Sequence, residues 1–331
     1  MAKYLIIGGV QREGSVEYEY HRYKKGIMLK YDTNSGDCET VFSHVTPPEY
    51  CSDDNPSILF KSADLVGDRL FLCTQTELLI VNVHDYSIAA HISHPWFNDV
   101  HHVRLTSNDT LLVANTGLDM VMELNFDGEL INQWGVADTP TWDRFDENED
   151  YRKIATTKPH ESHPNFVFEY EGEYWVTRFS QRDAVCLNDT DNKISNISEE
   201  GIHDGVVYED KIYFTSVDGK VMIHDLKNKQ QLAKVDLNTI DKSDYSLGWC
   251  RGISRLDEDN FVVGFSRLRE TTWKENVRWI KHKMLISKFP PVRPARITCF
   301  NSRLNSMVWE LNVEDYGMGE IFSIFKLPEK E

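Results

Sequence analysis

Three histidines, His102, His163 and His203, open three stretches that share no other obvious motif: HVRL from 102, HPNFVFEY from 163 and HDGVVYED from 203. Neutral imidazoles on rigid strands suit a borderline divalent metal such as zinc or iron(II), with open positions left for water or substrate. Asp99, His101 and Asp204 stand where they would orient such rings by hydrogen bonds. Glu320, at the head of the apolar run EIFSIF, offers a carboxylate ligand or a base.

Arginine supplies a second set. Arg178 follows the strand-like YWVT, Arg251 lies in WCRGIS, and Arg267 and Arg269 follow VVGFS. Fork-shaped guanidinium donors match carboxylate, sulfate or phosphate, so these four point to an anionic small-molecule substrate, with Arg251 gripping it. Trp249 offers a ring face to the same ligand. Each assignment has a plain counterpart: a histidine capping a turn, an arginine paired with a surplus carboxylate, a tryptophan packed in a core. Cys250 reads as a buried, inert thiol.

The spacing of these residues follows from what carries them. Five segments, starting at 62, 101, 163, 203 and 250, each read as a strand, an acidic or glycine turn, an apolar strand and a polar loop. Starts roughly 40 to 60 residues apart are the period of four-stranded propeller blades. Aligned on second strands that begin at Arg69, Thr110, Glu173, Lys211 and Asn260, His102 and His203 fall eight residues earlier, and His163 and Cys250 ten earlier. Even offsets place all four on one face of an unbroken strand, and innermost strands line a central channel. His101 has the opposite parity and is expected to face away, bonding locally. His160 is a weaker ligand, and His21, His44, His84, His91, His94, His224 and His282 are expected in turns or outer strands facing solvent.

A sixth blade comes from strands at 3–9 and 26–42 joined by 319–327, so that N- and C-terminal strands pair and exposed edges are removed. YLIIGGV is then the seam of the ring; GGVQREG lacks the GxGxxG spacing, and the chain continues as strand rather than helix. The expectation is an all-β, six-bladed β-propeller, with seven blades as an alternative, forming a single domain over 1–331. Two long aromatic- and charge-rich insertions, at about 136–161 and 270–298, read as lids.

The bulk numbers exclude several function classes. At 331 residues with 40% hydrophobic content the chain buries a core, and a net charge of −17 disfavours nucleic acid and anionic membranes as partners. The apolar run at 4–10 is too short for a signal core or a membrane span. Six cysteines scattered singly indicate reduced thiols, so the expected compartment is the cytoplasm. No GxSxG, HExxH, Walker or EF-hand motif occurs.

From WCRGIS onward, through VVGFSRLRE at 262–270, ITCFNSRLNSMVWELN at 297–312 and EIFSIFKLP at 320–328, the chain resembles an uncharacterised family of bacterial β-propellers of unknown function. Where that family tends to carry Lys-Pro-Arg-Glu, this chain has Arg267, Leu268, Arg269 and Glu270. The resemblance implies the propeller and no reaction. Two functions follow from the residues. The first is a small-molecule enzyme, hydrolase, lyase or oxygenase, with a metal at His102, His163 and His203; a metal-free version would use a histidine as base. The other is a binding or interaction module whose histidines are structural.

Overall fold

A computed structural model describes residues 2–14, 18–241, 243, 245–268 and 293–328. Arg269 and most of the 270–298 insertion lie outside the described residues. Among the described residues the chain forms six four-stranded antiparallel sheets and only short helical turns, a six-bladed β-propeller.

The first sheet has the order Glu320–Lys326, Lys3–Gln11, Tyr23–Asp32, Cys38–His44, so the C-terminal strand does pair with the N-terminal one. The other five are simple meanders. Their first two strands are Ser62–Val66 and Arg69–Cys73, Val100–Leu105 and Leu111–Asn115, Pro164–Tyr170 and Glu173–Arg178, Ile202–Tyr208 and Lys211–Ser216, and Trp249–Arg255 and Asn260–Ser266.

Burial grades across each sheet. Second and third strands such as Leu111–Asn115 and Met120–Leu124 are buried throughout, because neighbouring layers cover both of their faces. Fourth strands such as Leu130–Gly135 and Gln231–Asp236 are largely exposed. The hairpin turns need left-handed backbone: Glu171 and Gly172, with φ of 50° and 79°, close the two-residue turn between Tyr170 and Glu173. That is the twist a type I′ hairpin supplies.

The chain divides into two compact units. One comprises Met1–Ile6, Leu29–Glu39 and His203–Glu331, and the other Ile7–Met28 and Thr40–Ile202. The second contains the 136–161 insertion, packed down rather than extended. Trp142 lies 4.6 Å from Trp96, whose indole donates to the Glu147 carbonyl at 2.8 Å. The Asn98 amide donates to the Tyr151 and Ile154 carbonyls, both at 2.8 Å.

First strands are irregular where the candidate residues sit. Register shifts occur between Val100 and His102, between Pro164 and Val167, and between Arg251 and Ile253. A bulge adds a residue to one strand and reverses the facing of what precedes it. Even offsets along these strands therefore do not translate into a shared face.

Candidate functional site

In the unit holding His203, a buried carboxylate organises the first strands. His203 and Asp204, 5% and 6% exposed, are joined through Nδ1 and Oδ2 at 2.7 Å. A carboxylate only accepts, so the imidazole donates from Nδ1 and, when neutral, carries its lone pair on Nε2. The same Oδ2 accepts the Gly252 amide at 2.8 Å, and the Asp204 backbone is tied to the Thr215 hydroxyl at 3.2 and 3.3 Å. Gly252 is the bulged residue, at φ 71°, where a β-carbon would stand 2.8 Å from the Phe322 carbonyl oxygen. Glycine is required there, and it is what aims the amide at Asp204.

Next along that strand, Arg251 forms a buried ion pair with Glu320. Its guanidinium lies 4.6 Å from the Phe322 ring and 5.8 Å from that of Trp249, distances at which a cation is attracted to a ring face. Phe322 is also 5.8 Å from the His203 ring. His203, Asp204, Arg251, Glu320 and Trp249 thus belong to one constellation. Burial drives the Cys250 thiol well above its ordinary pKa, so a thiolate is disfavoured.

In the other unit the histidines are arranged differently. Asp99, at φ 50°, pairs with Lys61 at 2.9 Å, and its backbone carbonyl accepts His101 Nδ1 at 2.8 Å. Burial alone would raise the Asp99 pKa; Lys61, His101, Lys158 and His160 together hold it well below the usual carboxylate range. His101 is the bulged residue, and its ring is 5.0 Å from that of His163. His102 instead packs edge-on against Phe166 at 4.7 Å. His163 meets His160, Nδ1 to Nδ1, at 3.0 Å. The turn carrying both is set by Asp119, whose carboxylate accepts the amides of Glu161, Ser162 and His163 at 2.7, 2.9 and 2.7 Å and the Arg144 guanidinium at 2.6 Å.

His102 and His163 therefore share one unit, and His203 belongs to the other. Within the first of these, His101 rather than His102 is the ring neighbour of His163, because the bulge at His101 breaks the alternation on which the parity argument depended. Among the described residues no group of three or more histidine, cysteine, aspartate or glutamate side chains is disposed to hold a metal ion.

Two described arginines expected at substrate carry carboxylates of the chain itself. Arg178 grips Asp183 with Nε at 2.9 Å and Nη2 at 2.6 Å, and Arg267 makes a two-point contact with Glu314 at the surface. Some histidines expected in solvent are drawn inward: His44 donates to the fully buried Glu77 at 3.1 Å, as the exposed His91 also does at 2.8 Å, and burial lowers the pKa of His94 and His224 to about 4.

Lys61, Asp119 and Gly252 were missed by residue-type reasoning. Lys61 had one signal, a lysine closing the apolar run ILFK. Asp119 and Gly252 act through backbone amides, which leave no mark on the residue types around them.

No protein-family model matches the chain, and no curated protein matches it. Among solved structures, the fold is similar to a protein of unknown function from Bacteroides caccae, with a TM-score of 0.61 and 13% identity over 99% of this chain and 100% of that one. A chain of a nidogen/laminin complex also aligns, with a TM-score of 0.57 and 8% identity over 98% of each chain. At these identities the likeness is one of fold.

Proposed function

We propose that the protein is a small-molecule enzyme performing acid–base chemistry with His203 as the base, Asp204 as its orienting carboxylate, and Arg251 and Glu320 as polar neighbours. The observation that carries this reading is the shared Oδ2 of Asp204, fixed by a backbone amide at 2.8 Å while bonding His203 at 2.7 Å. A carboxylate held in this way sets the tautomer and stabilises the imidazolium that forms as a proton is taken, which is the supporting half of a general-base dyad. An anionic group on the substrate would compete with Glu320 for Arg251, so its binding is expected to be weak and weakened further by salt.

The test compares wild type with His203→Asn and Asp204→Asn on the small-molecule fraction of a cell extract, followed by mass spectrometry. At least one compound should be depleted by the wild type, more slowly by Asp204→Asn, and not by His203→Asn. Equal depletion by all three, or by none, sinks the reading in favour of a binding module. Elemental analysis of wild type and His203→Asn, purified without chelator, decides separately whether zinc or iron(II) takes part.

A further inference from the structure

We infer that His160 and His163 form a chelating pair for a divalent transition-metal ion, binding through their two Nδ1 atoms. All of its residues lie in the Ile7–Met28 and Thr40–Ile202 unit, whereas His203 belongs to the other.

Two neutral imidazoles whose Nδ1 atoms are 3.0 Å apart share one proton between two lone pairs. With metal–nitrogen bonds of about 2.05 Å, nitrogens at that separation subtend about 94° at an ion, so an ion takes the proton's place with little movement of either ring, the proton passing to Nε2 of His163 by a change of tautomer. The ring centroids, 5.0 Å apart, fall between the about 5.3 Å of a collinear N–H···N bond and the about 4.7 Å of two rings on one ion. An angle near 90° suits square-planar and octahedral ions better than tetrahedral zinc, so Ni²⁺ and Cu²⁺ are preferred.

The surroundings hold the pair ready. Asp119 fixes the backbone from Glu161 to His163, and His163 sits at φ 58°, a left-handed conformation that a β-branched or bulky residue adopts only when its neighbours impose it. The Glu161 side chain accepts the amides of Asp138 and Thr139 at 3.0 and 3.1 Å, which ties the same turn to the preceding insertion. The Thr157 hydroxyl stands 3.4 Å from His160 Nε2 and donates to the Gly117 carbonyl, so it receives the Nε2 proton and leaves Nδ1 as the ligand atom. Two imidazoles leave the remaining coordination positions to water or to a ligand that arrives with it.

Calorimetric titration of Ni²⁺ and Zn²⁺ into the full chain, in a non-coordinating buffer, tests the pair. One Ni²⁺ per chain should bind, at least threefold tighter than Zn²⁺, and His160→Gln and His163→Gln should each weaken Ni²⁺ at least tenfold. Absence of a saturable Ni²⁺ site, or affinity retained within threefold by either variant, overturns the inference. Electron paramagnetic resonance of the Cu²⁺-loaded wild type needs no variant to fold: it should show coupling to two imidazole nitrogens, and a spectrum without it overturns the inference equally.

Discussion

In the unit that carries His203, the buried carboxylate of Asp204 faces an imidazole; in the unit that carries His163, the carboxylate of Asp99 faces the ammonium of Lys61. The residue types are nearly the same, and the partners are exchanged. Asp204 therefore holds the Nδ1 proton of His203, whereas Asp99 is neutralised by a lysine and leaves His101 bonded to a backbone carbonyl and His163 to another histidine. A ring backed by a carboxylate is a better base; rings backed by carbonyls, hydroxyls and each other are better neutral ligands.

The sharpest way to break this contrast is to remove Lys61, which is 3% exposed. Lys61→Ala leaves the Asp99 charge without its closest counter-ion and should cost about 3–5 kcal/mol in urea unfolding. A loss under ~1 kcal/mol would mean that Asp99 is not compensated mainly by Lys61.

Gly252→Ala comes next, at about 3 kcal/mol, since both the positive φ and the carbonyl contact oppose a β-carbon. Its nitrogen NMR spectrum should also show His203 losing its single tautomer; an unchanged tautomer would show that the Gly252 amide does not position Asp204.

Asp119→Asn converts an acceptor of several hydrogen bonds into a group with one acceptor oxygen, and should cost about 2 kcal/mol. Faster amide exchange confined to Glu161, Ser162 and His163 is the accompanying signature, and unchanged exchange there would refute the role given to Asp119.

Acid distinguishes the units further. The folded-state pKa of Asp99 lies below its ordinary value, so its contribution is present above about pH 4 and is lost as pH falls through the depressed value. Stability measured from pH 5 to pH 2 should fall less steeply in Asp99→Asn than in wild type; parallel curves would remove Asp99 from the account. The smallest effect is expected at Arg267, whose side chain is 46% exposed: Arg267→Ala should change stability by no more than ~0.5 kcal/mol, despite its two-point contact with Glu314.

Much of the fold was legible because blade strands are written in local pattern. Second strands expected to begin at Arg69, Glu173, Lys211 and Asn260 begin there, and the one expected at Thr110 begins at Leu111. An apolar run closed by an acidic or glycine turn is a local signal, decided by residues that are neighbours in the chain. The pairing of Glu320–Lys326 with Lys3–Gln11 was legible for a related reason: Glu320–Lys326 is an apolar run without a partner in its own neighbourhood, and the N-terminal strands form a blade that lacks a fourth.

The site was legible as a set of residues and not as an arrangement. Residue types alone brought forward His101, His163, His203, Asp99, Asp204, Arg251 and Glu320. Which ring meets which partner depended on the bulges at His101 and Gly252, and a single extra residue in a strand reverses every facing before it. The arginine forks show the same limit: Arg178 and Asp183 are five residues apart but meet only because adjacent strands pair, and Arg251 and Glu320 are 69 residues apart. The sequence by itself determined the strands, the blade period and the inventory of titratable groups, because these rest on local patterning. Only the tertiary structure decided which carboxylate faces an imidazole and which a lysine, since long-range strand pairing and bulge geometry choose the partner of each buried charge.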